Sequence, residues 1–239
     1  MKQTSKPTSG SQRRSTAPAA AKPSATRRVP TRRGVPRESL DAIVAFAELA
    51  NREHLRWYLF GAQAVAAYGV PRTTGDIDVT LDLADRGLET LTTPLRRAGF
   101  IPTITDEAFA LETRIYPVTH KPTGWSFDLV LAGPGLEQRF LDEVRMFPVG
   151  RHKIPVLAPE YLVTLKLLAG RPKDLEDVRG MIRIAELDHD RVEATLAELE
   201  SMLDQSDLRP VYVRLRAEQR PSPSPKPRPK PPKRARGSR

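Results

Sequence analysis

Two aspartates one residue apart, in the alternating stretch Asp76-Ile77-Asp78-Val79-Thr80-Leu81-Asp82, are the residues best suited to chemistry in this chain. At a period of two, both carboxylates share one face of a strand while Ile77, Val79 and Leu81 share the other. The strand is thereby anchored in a core and presents hard oxygen ligands of the kind a divalent ion prefers. A third aspartate, Asp128, stands in Trp125-Ser126-Phe127-Asp128-Leu129-Val130-Leu131, which predicts a further strand. A carboxylate there is costly unless it is paired, hydrogen-bonded, bound to metal or facing water from a sheet edge. If the two strands are neighbours, Asp76, Asp78 and Asp128 form one cluster.

The surrounding elements must position these acids. Trp57-Tyr58-Leu59-Phe60 reads as a short buried strand stopping at Gly61. A short helix over Ala62 to Tyr68 follows, then the breaker Gly69-Val70-Pro71 and Arg72. Upstream, Leu40, Ile43, Val44 and Ala47 fall at helical spacing with Ser39 as N-cap, giving an amphipathic helix from Arg37 to Leu55. Downstream, Leu88 to Ala98 predicts a helix despite Pro94, Phe100 to Ile104 a strand, and the alternation of Phe109, Leu111, Thr113 and Ile115 a strand over Ala108 to Val118. A hairpin around Gly150 spans 144–157, and helices over Pro159 to Ala169, Lys173 to Leu187 and Arg191 to Leu203 complete the pattern. The expected class is α/β (α+β): a small mixed sheet flanked by helices, with a C-terminal helical lobe.

Composition sets limits on function. The chain has 239 residues and a net charge of +10, but residues 1–36 and 220–239 hold 17 of the 39 bases and no acid, which leaves the middle at −7. Both ends lack apolar periodicity, and the second alternates proline with bases, so both are expected to be disordered. The expected organisation is a basic tail over 1–36, a core over 37–157, a lobe over 158–208, and a linker with a Pro/Lys/Arg-rich tail over 209–239. The tails suit electrostatic contact with nucleic acid, or serve as solvated spacers; neither interleaves aromatic residues for base stacking. There is no cysteine, which excludes disulfides, zinc thiolates and cysteine nucleophiles. His54, His120, His152 and His189 lack metal-ligand spacing and are expected at the surface. No Walker, G-x-S-x-G or G-x-G-x-x-G pattern occurs. No apolar run suits a signal peptide or membrane span, so a cytoplasmic protein is expected.

Gly61-Ala62, Asp76-Ile77-Asp78 and Asp128 together resemble the polymerase-beta-like nucleotidyltransferase superfamily, in which Gly-Gly or Gly-Ser after a strand precedes Asp-hydrophobic-Asp on the next and a later strand carboxylate. The segments G-A-Q-A, G-V-P-R-T-T-G-D-I-D and P-E-Y-L-V-T-L-K-L-L-A-G-R-P-K-D-L-E-D look like the bacterial abortive-infection (type IV toxin-antitoxin) branch, over roughly residues 40–205. The resemblance implies a nucleotidyltransferase sheet that moves a nucleoside monophosphate from a nucleoside triphosphate to a hydroxyl. It implies two Mg2+ on Asp76, Asp78 and Asp128, with Asp128 helping to deprotonate the acceptor. Gly61 and Ala62 would meet the triphosphate through backbone N–H groups, Ala62 supplying no hydroxyl. Lys166 and Arg171 would neutralise the triphosphate; their alternatives are a solvent face for Lys166 and pairing of Arg171 or Lys173 with Asp174 or Asp177. Arg72 would contact phosphate or salt-bridge an aspartate. The implied partners are an NTP, tRNA or another nucleic acid, and an antitoxin protein, with no membrane. The alternatives are an aminoglycoside-type small-molecule acceptor and a catalytically silent member of the fold.

Overall fold

Period-two alternation at the centre of the chain decides the sheet. The computed structural model describes residues 36–104 and 106–219, and the expected tails over 1–35 and 220–239 lie outside them. In chain order the elements are α1 (Arg37–Arg52), β1 (Arg56–Leu59), α2 (Gly61–Ala67), β2 (Asp76–Asp82), α3 (Glu89–Arg97), β3 (Phe100–Pro102), α4 (Glu107–Thr113) and β4 (Ile115–His120). They continue with β5 (Trp125–Leu131), α5 (Leu136–Asp142), β6 (Val144–Val149), β7 (His152–Leu157), α6 (Pro159–Ala169), α7 (Pro172–Ile184), α8 (His189–Leu203) and α9 (Leu208–Glu218). The strands form one seven-stranded mixed sheet in the order β3-β4-β5-β2-β1-β7-β6. Helices flank it, and α6 to α9 make the C-terminal lobe.

Burial follows the alternation. Ile77, Val79 and Leu81 are fully buried on one face of β2, and Phe127 and Leu129 continue that face on β5. Phe46 of α1 packs its ring against Trp57, Phe100 and Phe127, so α1 covers this side of the sheet, with α3 beside β3. Such aromatic packing buries a large apolar area and holds β2 and β5 at a fixed height. On the other side, α5 lies against β1 and its Phe140 ring sits between Tyr58, met edge-on, and Tyr161, met at a tilt. One face of the sheet is thus sealed; on the other, α5 covers Tyr58 and Thr80, and the aspartates stand beside this covered part.

Several expectations are corrected. Residues 107–113 are helical, not extended: the Asp106 carboxylate accepts a hydrogen bond from the Phe109 amide at 3.0 Å, and Arg114, at φ 58°, ends the helix in the left-handed region. The alternation there did not reflect burial, since Phe109 and Leu111 are both exposed. Residues 209–218, expected in a linker, belong to α9, where Leu208, Tyr212 and Leu215 are buried against the lobe. Ser39 is not the N-cap of α1; it lies in the first turn and donates to the Pro36 carbonyl at 2.7 Å. His120 is buried, its ring 4.6 Å from that of Phe100, because β4 turns it to the sealed face. No helix among the described residues is long and apolar enough to cross a membrane.

Candidate active site

β2 pairs in parallel with β5 in a register that sets Asp78 directly opposite Asp128 and Asp76 opposite Ser126. Side chains paired across a ladder leave the sheet on the same side. The three aspartates therefore converge, each offering a carboxylate oxygen within 4.8 Å of the others. Burial, with the neighbouring charges of Asp76 and Asp128 adding to it, pushes the Asp78 carboxyl up to about 6, although Lys166 and the Ala62 amide favour its ionised form. Burial and the charge of Asp76 raise Asp128 as well. The Thr74 hydroxyl donates to Asp76, so the turn before β2 orients the first carboxylate.

Gly61 is dictated by this cluster. It takes φ +66°, and a Cβ at that position would fall on the Asp78 carboxylate. The Ala62 amide, which the resemblance would direct at phosphate, donates to Asp78. Gly61→Ala is expected to cost about 1–3 kcal/mol through strain and displacement of Asp78. In an Asp78→Ala background the same change should cost only its backbone part, about 1 kcal/mol, read from urea midpoints.

Lys166, Arg171 and Arg72 come together beside the acids, in a second network. Lys166 is nearly buried on α6, and its Nζ lies 2.8 Å from Asp174 Oδ1 and 3.1 Å from Asp177 Oδ2. Arg171 Nε meets Asp174 Oδ2 at 2.5 Å, and Arg72 Nε approaches Asp177 Oδ1 to 2.9 Å. Arg72 therefore salt-bridges an aspartate of the lobe and not one of the acidic strand. Its contact is an ion pair without hydrogen-bond alignment, and Arg72 Nε and Asp177 Oδ2 stay buried with no hydrogen-bond partner. Burial opposes ionisation of Asp174, but the hydrogen bonds of Arg171 and Lys166 outweigh it and hold its carboxyl below the usual range. Lys166 does not sit on a solvent face. It is fixed by two buried acids, with its charge felt at Asp78.

Asp174 and Asp177 are the residues whose importance sequence reasoning understated. Their signal is the spacing of three on a helix that starts at Pro172 just after Arg171, which puts both carboxylates on one face, toward α6. Taken together, three cations and two buried anions flank three converging carboxylates. Such a site can hold a divalent ion and the charge of a polyphosphate.

No protein-family model and no curated protein matches the chain. Among solved structures, the antibiotic-resistance factor ANT(2'')-Ia in solution is similar over 70% of this chain and 93% of its own, at 15% identity and a TM-score of 0.51. An antigenic nucleotidyltransferase-like protein from Paracoccidioides brasiliensis is similar over 74% of this chain and 92% of its own, at 19% identity and a TM-score of 0.49. ANT(2")-Ia in complex with adenylyl-2"-tobramycin is similar over 69% and 98%, at 16% identity and a TM-score of 0.49. The first of these likenesses shows a shared fold.

Proposed function

We propose that this protein is a metal-dependent nucleotidyltransferase that moves a nucleoside monophosphate from a nucleoside triphosphate to the hydroxyl of a small molecule. The convergence of Asp76, Asp78 and Asp128 beside the left-handed turn at Gly61 carries this reading. Three carboxylates of raised mutual repulsion, all hard oxygen donors on rigid strands, fit one Mg2+. The second ion implied by the resemblance has no separate acidic cluster among the described residues. When bound, the ion supplies charge neutralisation and polarisation of the phosphate.

The chain's own groups account for the rest. The acceptor oxygen forms a bond to the α-phosphorus, the bond from that phosphorus to the bridging oxygen breaks, and pyrophosphate leaves. Asp128, on the open side of the cluster, receives the acceptor's proton. Lys166, held in place by Asp174 and Asp177, faces the developing negative charge, with Arg171 and Arg72 beside it. The Gly61 turn lets the Asp78 carboxylate sit against the backbone and so fixes its place in the cluster.

An antibiotic-resistance factor that shares this fold supports a small-molecule acceptor. A tRNA acceptor rests on the basic tails, which lie outside the described residues, and nothing within them favours an antitoxin partner. The test is incubation of the full chain with each α-labelled NTP, Mg2+, and either a small-molecule extract or total tRNA. Label is expected in the small-molecule products, falling by about 10³-fold or more in Asp76→Asn. No transfer from any NTP, or equal transfer by Asp76→Asn, would rule out the enzyme reading and leave a catalytically silent member of the fold.

A further inference from the structure

The side of the sheet that carries Asp128 continues across β5, β4 and β3 as a face that no described helix seals. Ile101, Ile115, Pro117, Thr119, Ser126 and Val130 are all half-buried or exposed, while Phe100, Tyr116, Val118, His120, Phe127, Leu129 and Leu131 on the opposite face are buried. Register makes them contiguous: Pro117 lies opposite Asp128, Thr119 opposite Ser126, Ile115 opposite Val130, and Ile101 opposite Thr119. Ser126 is in turn opposite Asp76. Ile101 and Val130 are aliphatic yet stand outside the hydrophobic core. The helices that pack on these strands are α1 on β5, α3 on β3 and α4 on β4. With α1 and α3 on the sealed side, α4 tied to α3 by the Thr92 hydroxyl donating to Glu107 at 3.4 Å, and α5 against β1, the site-side face is left open.

The chemistry of this face is selective. None of its six side chains is charged and none is aromatic. A polynucleotide acceptor needs lysines and arginines for its phosphates and aromatic rings for unpaired bases. A polyamine-like acceptor needs carboxylates or aromatic faces beyond the metal cluster. The face offers neither set. At its borders, Arg114 and Glu137 neutralise each other at 2.6 Å, and Lys121 follows β4 at the far end. What remains is aliphatic surface from Ile101, Ile115, Pro117 and Val130 with two hydroxyls, Thr119 and Ser126. This surface shares its lining chemistry, apolar with a few polar groups, with small-molecule sites.

We propose that this β3-β4-β5 face seats the acceptor, and that the acceptor is an uncharged, hydroxyl-bearing aliphatic molecule. This rests on the nucleotidyl-transfer reading above. The acceptor lies with its carbon skeleton on Pro117 and Val130 and hydrogen-bonds Thr119 or Ser126, which brings one hydroxyl to Asp128. The bonds made and broken are those already given: the acceptor oxygen gains the α-phosphorus, pyrophosphate departs, and the proton goes to the carboxylate cluster.

The test separates a small-molecule extract by ion exchange into an uncharged pool and a cationic pool, and offers each, and total RNA, to the full chain with α-labelled NTP and Mg2+. Binding of a fluorescent NTP analogue with Mg2+ is measured in parallel. Label is expected in the uncharged pool. Thr119→Lys and Ile101→Lys should each lower transfer at limiting acceptor by about tenfold or more, with the affinity for the fluorescent NTP and the thermal midpoint unchanged. Label confined to RNA or to the cationic pool overturns the proposal. So does a protein that binds Mg–NTP yet labels none of the three, or undiminished transfer by both lysine variants. Failure to bind any NTP would instead overturn the nucleotidyl-transfer reading itself.

Discussion

Asp78→Asn is expected to make the metal-free protein more stable and catalytically dead at once. The Asp78 carboxyl is raised from 3.8 to about 6 in the folded chain, burial being the largest cause. For an acid raised in this way the folded state prefers the proton, so this group's contribution is fully present below 3.8, is lost as pH rises from there through about 6, and levels off above that. At pH 7.5 the wild type therefore holds an unfavourable charge that costs on the order of 2–3 kcal/mol. Asparagine keeps an oxygen to accept from the Ala62 amide and carries no charge. In EDTA, urea midpoints of the variant should exceed those of the wild type at pH 7.5, and the two should converge as pH falls to about 4. Millimolar Mg2+ should raise the wild-type midpoint and leave the variant's almost unmoved, since the proposed ion site needs all three carboxylates. A variant that is no more stable than wild type at pH 7.5 would show that the cluster's repulsion is relieved some other way. Nucleotidyl transfer should fall by about 10³-fold or more.

Asp174→Asn is expected to act in the opposite sense and cost about 3–5 kcal/mol of stability. Asp174 is fully buried and receives both Lys166 and Arg171, so its neutralisation strands the largely buried Lys166 ammonium on Asp177 alone. Lys166→Met should be costly as well, leaving two buried carboxylates to the two arginines. The double variant Lys166→Met with Asp174→Leu should be less destabilised than the sum of the single changes by about 2 kcal/mol or more, since neither unpaired charge survives. Denaturant unfolding of the wild type, Lys166→Met, Asp174→Leu and the double variant measures this. Additive losses would mean that the two residues do not act as a pair.

The carboxylate cluster was legible because alternation leaves little freedom. Once Ile77, Val79 and Leu81 go inward, Asp76 and Asp78 must go outward, and the same logic on β5 exposes Asp128 between Phe127 and Leu129. Gly61 was legible as a turn but not as the residue whose missing side chain makes room for Asp78, a contact between segments far apart in sequence. Alternation failed at Phe109 and Leu111, where a capping aspartate and a left-handed Arg114 decided for helix and the apolar side chains face outward. Proximity to a charged tail concealed α9, although Leu208, Tyr212 and Leu215 already followed helical spacing. For Lys166 the sequence offered solvent or phosphate. The packing of α6 on α7 supplied two buried aspartates, and no local pattern ranks these outcomes.

The parallel pairing of β2 with β5 has a consequence for how the site comes into being. Asp78 and Asp128 are fifty residues apart in the chain, and parallel neighbours need a long crossover before they can pair, here one containing α3, β3, α4 and β4. During synthesis the first two acids leave the ribosome well before the third, and the lobe's lysine and arginine follow later still. A growing chain therefore passes in order through a pair of acids, a full but uncompensated acidic cluster, and only then a centre with its cations in place. The proposed capacity to hold a charged nucleotide would thus be acquired last, when α6 and α7 have closed around Lys166.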